Sequence, residues 1–502
     1  MRRALTWLST ARLATAILFV ALFAMAVQFP AGNDTWWHLR AGQVTLQTGH
    51  ILQTDLFSHT RYGQSWVNHS WLSQVILYWL FDQLSYAGLE LWVRGIVTAT
   101  FVLVFLQMKG NAFVRAFVTM LAAATSAVIW AARPQLLSFL LTAAVAHVLY
   151  LYKWEGVNRL WVLPPLFVLW VNLHAGYALG FMVLAGYLVG EVLNHALNLV
   201  APSDTPVIDW PGLGHLLGIS LLSALLLVIN PNTTRMWTYY LDTVGIGALQ
   251  DFIQEWQSPD FHPIHMQPFI WLLLATLAAI GLSEQRPDAS DLTLIAMFAY
   301  AALLAGRNIA PFALVTAPVL SRHVTATLNS WRRKAAEEGR LRLRGLRRRP
   351  TPLLGALNWG ILFLVIALGV ANVWRPLWTD LNERRQEERY PMEAIQWIEE
   401  NDPPGRMFNP YNWGGMLIWR LWPEQRVFVD GRTDLFGDEV LGEYITVQAA
   451  QPGFDEILDK YGVGFVLARP HDPLSTVLAC TGDWEHGYKD GQAVVWLREK
   501  VE

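Results

Sequence analysis

The chain has 502 residues, of which 53% are hydrophobic and only 15% are charged, and its formal net charge is −3. An average soluble domain carries about 25% charged residues, so this composition excludes a disordered chain and a protein made only of soluble domains. It is typical of a protein that crosses a membrane several times. The single cysteine, Cys480, excludes an intrachain disulfide, a cysteine-based zinc site and a thiol redox pair.

Long apolar runs predict an all-α membrane domain of about eleven transmembrane helices. The runs cover residues 13–29, 87–107, 113–131, 135–152, 160–174, 176–198, 214–230, 267–283, 292–306, 308–321 and 353–374. Arginines precede the first run and no cleavage site follows it, so we expect a retained first helix and a cytoplasmic N-terminus. The apolar segment 66–84 is interrupted by polar residues, and we predict that it forms a helix at the membrane interface.

The segment 322–350 holds ten Lys and Arg against two Glu, and the orientation above places it in the cytoplasm. Loops rich in positive charge are typical of that side of the membrane. We therefore predict a basic cytoplasmic loop that contacts anionic membrane lipid, and we do not expect nucleic acid as a partner.

The tail after the last span is acidic, with 23 Asp and Glu against 13 Lys and Arg in residues 375–502. We predict a soluble extracytoplasmic α/β domain here, and a membrane domain over 1–374 whose first outer loop covers 30–86. Helical spacing covers 391–398. Short apolar segments predict strands over 406–409, 426–429, 462–468 and 492–497.

The densest polar cluster directly follows the first span. It comprises Asp34, Trp37, His38 and Arg40, and the same outer loop continues to Asn68 and His69. A carboxylate beside aromatic rings can have a shifted pKa and act as a general base, and Trp rings suit the apolar faces of sugars. The alternative is an aromatic belt at the interface with Asp34 as a helix N-cap.

Four arginines lie at predicted outer ends of helices, against the usual charge rule: Arg94, Arg133, Arg235 and Arg307. A guanidinium binds phosphate oxygens in pairs, so several at one membrane face indicate a lipid phosphate or pyrophosphate. The alternative is that these arginines pair with acids of the outer loops.

Three further polar residues belong to the same predicted face. His174 lies in a tight turn and is either a ligand-binding group or a satisfied polar residue at a helix end. Glu255 and Asp260 lie in a large outer loop and either line the same cavity or are solvated. No nucleotide-binding motif is present, and the acidic residues of segment 430–434 are interpreted as part of a turn.

Segments 34–43 and 66–72, together with 412–415 and 426–432 of the tail, resemble a group of bacterial integral membrane proteins. This group is classed with the GT-C glycosyltransferases of the protein mannosyltransferase and aminoarabinose transferase type. The resemblance implies a catalytic Asp in the first outer loop, where Asp34 lies. It also implies a sugar donor carried on polyprenyl phosphate at the outer face. Thr35 departs from the Asp-Glu pair of protein mannosyltransferases, which argues against protein hydroxyls as acceptors.

The sequence therefore predicts a glycosyltransferase of the inner (cytoplasmic) membrane that moves a sugar from polyprenyl phosphate to a lipid, glycan or protein. Asp34 would be the base, and Arg133, Arg307 and Arg94 would hold the phosphate. No cofactor is expected, and a divalent metal would need a second acid such as Asp55 or Glu255. The rival interpretations are a non-catalytic scaffold or polysaccharide-assembly subunit, and a transporter or flippase.

Overall fold

The computed structural model describes residues 7–26, 31–202, 205–247, 252–338, 351–378 and 380–499. Over these ranges the chain is mostly helical. The helices are α1 Thr10–Met25, α2 Thr35–Thr48, α3 Trp71–Leu84, α4 Tyr86–Gln107, α5 Ala112–Ser126, α6 Gln135–Trp154, α7 Leu163–Leu173, α8 Tyr177–Val200, α9 Trp210–Leu225, α10 Arg235–Val244, α11 Gln267–Leu282, α12 Ala289–Leu304, α13 Ile309–Glu337, α14 Pro352–Trp378, α15 Leu381–Arg389, α16 Met392–Asn401, α17 Gly414–Leu421, α18 Thr433–Gln448, α19 Phe454–Lys460 and α20 Pro473–Leu478.

The described residues contain seven helices long and apolar enough to cross a membrane, and four shorter apolar helices. Each of the eleven predicted spans overlaps one of them, namely α1, α4 to α9 and α11 to α14. The chain is therefore a multi-pass membrane protein.

The first outer loop is itself largely helical, because it contains α2 and α3. The prediction of a helix within 66–84 is confirmed by α3. The two helices pack so closely that a Cβ on Gly42 would overlap the backbone carbonyl of Gln74. Gly42 is therefore required for this contact, which fixes α2 and the residues at its start.

The prediction of a loop over 322–350 is wrong in its first half, because α13 continues as a helix to Glu337. Residues 339–350 lie outside the described ranges. Arg322 is buried, forms an ion pair with Asp291, and lies with its guanidinium 3.8 Å from the centre of the Trp154 ring. Further along α13, Lys334 pairs with Glu284. These two cations have acidic partners in the protein and hold α13 against its neighbours.

A four-stranded sheet forms in the described part of the tail, in the order β1-β2-β4-β3. Its strands are β1 Arg406–Phe408, β2 Val463–Ala468, β3 Trp484–Lys489 and β4 Val494–Arg498. β1 and β2 are parallel, and the β2–β4 and β4–β3 pairs are antiparallel. Three of the predicted strands are confirmed by β1, β2 and β4.

The predicted strand over 426–429 does not join this sheet. Val427 instead pairs with the first outer loop: its N–H donates to the carbonyl of Phe57 at 3.1 Å, and its carbonyl accepts from His59 at 3.0 Å. An apolar extended segment can satisfy its backbone on any available edge, and here the edge belongs to the membrane domain. The edge strand β3 was not predicted, since its sequence alternates weakly and contains Gly487.

A buried group of three charged residues fastens the tail to the same loop. Arg432 donates to Asp430 and to Asp55, each at 2.6 Å, and all three side chains are almost completely buried. Segment 430–434 is thus more than the turn predicted from the sequence. The tail is held over one end of the membrane helices, where it closes one side of a cavity.

We expect Arg432→Met to lower the free energy of unfolding by about 3–5 kcal/mol, because it leaves two buried carboxylates without their cation. The matched control is Arg420→Met, since Arg420 pairs with Glu399 in the tail but is about one-third exposed. That change should cost less than about 1 kcal/mol. Denaturant unfolding of the purified chain in detergent measures both, and equal losses would contradict a buried anchor.

Candidate active site

A cavity of about 900 Å³ lies between one end of the membrane helices and the tail. Eight of the twelve site residues predicted from the sequence line it. They are Asp34, Trp37, His38, His69, Arg133, His174, Glu255 and Arg307. The structure thus brings these eight residues together at one end of the membrane helices.

Asp34 lies directly before α2, with its carboxylate held from two sides. Oδ2 accepts from Arg133 at 3.0 Å, and Oδ1 accepts from the indole N–H of Trp37 at 3.3 Å. Although Asp34 occupies the N-cap position, its side chain makes no capping bond to the described N–H groups of α2. The carboxylate instead faces the cavity, so the N-cap interpretation is wrong.

Thr35 explains why Asp34 and Arg133 meet. Its buried hydroxyl accepts from the N–H of Gly32 at 2.8 Å and donates to the carbonyl of Ala132 at 3.0 Å. This bond ties the start of α2 to the loop that carries Arg133. A Thr here, where the resemblance expects an acid, therefore positions the ion pair.

Arg133 also binds a second carboxylate, with Nη2 2.8 Å from Oε1 of Glu255. Burial raises the pKa of Asp34 above its usual range; Arg133 opposes this rise and Glu255 adds to it. Burial would also raise the pKa of Glu255, but the charge and hydrogen bond of Arg133 outweigh it and lower that pKa. Asp34 is therefore the stronger base of the two carboxyls, and Glu255 is the one that remains ionised.

The backbone of the tail is in close contact with Asp34 and its neighbour Asn33. A Cβ on Gly431 would overlap Oδ1 of Asp34, and a Cβ on Gly415 would overlap the carbonyl of Asn33. Both glycines line the cavity. The motifs of the tail that the sequence analysis noted therefore form a wall against Asp34.

Arg307 lines the cavity and has no acidic partner among the described residues. It is half-buried, its guanidinium lies 4.2 Å from the centre of the Trp256 ring, and it forms no ion pair with any described residue. A partly desolvated guanidinium without a counter-ion is suited to an anionic ligand.

A second group of polar side chains lies around His69. Its Nδ1 is 2.8 Å from the hydroxyl of Tyr239, which donates to Asp434 at 2.9 Å. The His174 ring centre lies 5.6 Å from that of His69. The sequence analysis missed Tyr239 and Asp434, although the acidic residues of segment 430–434 were a signal for the latter.

Four predicted site residues lie elsewhere. Arg94 is buried and binds Glu90 at 3.1 Å and the carbonyl of Phe23 at 2.9 Å, away from the cavity. Arg40 binds the carbonyl of Trp419 and packs α2 against α17.

The other two are Asn68 and Asp260. Asn68 is buried in a reciprocal pair with Gln74, at 2.9 and 2.8 Å. Asp260 is exposed and pairs only with His262 among the described residues. Neither lines the cavity, so the solvated alternative is the right one for Asp260.

The residues proposed for a metal do not fit one. Asp55 is already paired with Arg432, and the guanidinium of Arg133 bridges Asp34 and Glu255. Among the described residues, no group of three or more His, Cys, Asp or Glu could hold a metal ion. The carboxylates of the site are paired with arginines of the chain itself.

Comparison with solved structures identifies the architecture. The archaeal oligosaccharyltransferase AglB from Archaeoglobus fulgidus, in complex with an inhibitory peptide and a dolichol-phosphate, matches with a TM-score of 0.59 at 12% identity, covering 97% of this chain and 74% of that one. ArnT from Cupriavidus metallidurans, bound to undecaprenyl phosphate, matches with a TM-score of 0.51 at 14% identity, covering 96% of each chain. The chain has the GT-C fold. No family model and no curated protein matches the amino-acid sequence.

The GT-C fold confirms the resemblance noted in the sequence at the level of architecture. In this chain the fold brings the first outer loop, the loop after α5 and the tail to one cavity. Asp34, Arg133 and Glu255 lie in three different connections between helices. They are distant in sequence, and the hydrogen bonds of Arg133 bring them together.

We expect the Asp34 carboxyl to titrate at a higher pH than an ordinary Asp. Arg133→Gln should raise its pKa further, because the opposing cation is gone, whereas Glu255→Gln should lower it, because the repelling anion is gone. ¹³C carboxyl shifts of labelled protein measure this, with the exposed Arg235→Gln as control. An unshifted Asp34 in the wild-type chain, or no response to Arg133→Gln, would refute the assignment.

Proposed function

We propose that this chain is an integral membrane glycosyltransferase that moves a sugar from a polyprenyl-phosphate donor to an acceptor at the outer face of the membrane. The observation that carries the proposal is that one cavity holds the Asp34 carboxylate, Arg133 bound to it, and Arg307, which has no acidic partner among the described residues. The two GT-C neighbours support the donor class, since one holds dolichol-phosphate and the other undecaprenyl phosphate.

Arg307 binds the donor phosphate in this proposal, because it is half-buried in the cavity wall and has no acidic partner among the described residues. Arg133 contributes from the side of Asp34, although two carboxylates share its charge. Trp256 holds the Arg307 guanidinium in place by stacking, so little side-chain entropy is lost when phosphate binds. Charge on the leaving phosphate is stabilised by these preorganised donors.

Asp34 acts as the general base. The acceptor hydroxyl oxygen attacks the anomeric carbon, and the bond from this carbon to the phosphate oxygen breaks. The bonding electron pair leaves with the polyprenyl phosphate, and the hydroxyl proton passes to the Asp34 carboxylate. A single displacement of this kind inverts the configuration at the anomeric carbon.

The acceptor is a lipid, a glycan or a protein hydroxyl that reaches the cavity beneath the tail. We place the chain in the inner membrane with its N-terminus in the cytoplasm and its tail outside, as the distribution of positive charge indicates. Arginines within 340–349 would then contact anionic lipid on the cytoplasmic side.

We expect Asp34→Asn to reduce sugar transfer at least a hundredfold, because the base is lost while the shape of the side chain is kept. The measurement is lipid mass spectrometry of the polyprenyl-phosphate-sugar pool in cells that lack the chain and are complemented with each variant. One sugar-lipid should accumulate in the deletion and with Asp34→Asn.

The matched control is Asp260→Asn, which changes an exposed acid of the outer face and should restore the wild-type pool. If the sugar-lipid accumulated in the deletion but not with Asp34→Asn, the chain would still be the glycosyltransferase, but Asp34 would not be its base. An unchanged pool in every strain would favour the scaffold or the flippase.

Transfer should persist in EDTA, because arginine guanidinium groups already pair with the carboxylates that a metal would need. The test is turnover of the accumulated sugar-lipid by the purified chain, with and without chelator. Loss of activity that added Mg²⁺ or Mn²⁺ restores would overturn this part of the proposal.

A further inference from the structure

Neighbouring hydrogen bonds determine which ring nitrogen of His69 and of His174 carries the hydrogen. This in turn determines whether each ring presents a hydrogen-bond donor or an acceptor to a ligand. Both side chains line the cavity and are half-buried, and their ring centres lie 5.6 Å apart. Each ring makes its side-chain hydrogen bonds through Nδ1. The hydrogen bonds at Nδ1 therefore decide the state of Nε2.

At His69 the proton lies on Nδ1. The Tyr239 hydroxyl has one hydrogen, and it donates this hydrogen to the Asp434 carboxylate, which can only accept. Toward His69 the phenol oxygen must then accept, so the ring donates through Nδ1–H over 2.8 Å. Nε2 of His69 is left as a bare acceptor.

At His174 the proton lies on the other nitrogen. The backbone N–H of Gly176 donates to Nδ1 at 3.0 Å, which requires a lone pair there. Trp170 donates to the Ser138 oxygen at 2.8 Å, and the Ser138 hydroxyl passes its own hydrogen to Nδ1 at 2.7 Å. Nε2 of His174 therefore carries the hydrogen and is a donor.

The surroundings of both rings favour the neutral imidazole. Burial lowers the pKa of each imidazole, and in His174 the neighbouring His69 lowers it further. Burial also raises the pKa of Tyr239, which keeps its hydrogen available for Asp434. The pair thus presents one acceptor and one donor without net charge.

We propose that His69 and His174 form a hydroxyl-recognition subsite of the cavity, an inference that rests on the proposed function. A hydroxyl can donate to Nε2 of His69 and accept from Nε2–H of His174 at once. An ammonium group cannot accept, and a phosphate dianion cannot donate. The subsite selects a neutral sugar hydroxyl, and Tyr239 and Asp434 are its positioning residues.

Arg307 lines the same cavity as both rings. A hydroxyl held here is therefore next to the proposed phosphate site. It belongs either to the sugar of the donor or to a sugar acceptor, and the chemistry of recognition is the same in both cases.

The test uses ¹⁵N-histidine-labelled full-length chain in lipid bilayers, where ¹⁵N spectra distinguish protonated from bare ring nitrogens. His69→Gln and His174→Gln assign the signals. We expect a proton on Nδ1 of His69 and on Nε2 of His174. Tyr239→Phe should abolish the fixed state of His69 and leave His174 unchanged, and Tyr240→Phe should alter neither. The opposite tautomers, imidazolium rings, or an unaffected His69 in Tyr239→Phe would overturn the inference.

Added probes then identify the source of the hydroxyl. Shifts of both Nε2 signals with undecaprenyl-phosphate glucose, but not with undecaprenyl phosphate, assign the donor sugar. Shifts with methyl glucoside assign a sugar acceptor. For the probe that shifts the signals, the Tyr239→Phe variant should bind about tenfold more weakly than the wild-type chain. A tenfold loss of affinity corresponds to about one hydrogen bond.

No shift with either sugar would overturn hydroxyl recognition even if undecaprenyl phosphate binds. Failure of undecaprenyl phosphate to bind at all would instead contradict the proposed function, while the tautomers of the two rings stay measurable.

Discussion

The guanidinium of Arg133 is the interaction on which the cavity depends. It joins Asp34 at the start of α2 to Glu255 in a distant connection, and so holds two carboxylates that would otherwise repel each other in a partly desolvated space. Because the cation is shared, neither carboxylate is fully neutralised. Glu255 stays ionised and Asp34 has a raised pKa, which is the division of roles that a single-base displacement needs.

The tail is the second requirement, because it supplies the wall opposite the membrane helices. Arg432 anchors it between Asp55 and Asp430, and this buried pairing lies only one residue from Gly431, whose backbone is against Asp34. Asp434 follows on the same segment and reaches Tyr239. One short stretch of the tail therefore stabilises the interface, shapes the space around the base and fixes the state of a histidine.

Much of this arrangement could be predicted from the sequence. Apolar run length predicts the spans, and polar residues at their outer ends must meet because the bilayer aligns those ends. This reasoning found Asp34, Arg133 and Arg307. It failed for Arg94, although Glu90 four residues earlier was a local sign of pairing.

The rest depends on contacts between residues far apart in the chain, which a single sequence does not contain. Tyr239 and Asp434 are 195 residues apart, and Arg432 is 377 residues from Asp55. The apolar segment around Val427 fits a sheet edge or a loop edge equally well, and only the folded chain decides between them. The partner of Arg322 is likewise distant in sequence, since Asp291 lies on another helix.

Binding of undecaprenyl phosphate to the purified chain in lipid nanodiscs tests the central claim most directly. The account predicts saturable binding that Arg307→Gln weakens at least tenfold, while the exposed Arg235→Gln leaves it unchanged. Asp34→Asn should bind the lipid as well as the wild-type chain does, because Asp34 acts on the acceptor. Absence of binding, or equal binding by the Arg307→Gln variant, would contradict the assignment of this cavity to a lipid-phosphate donor.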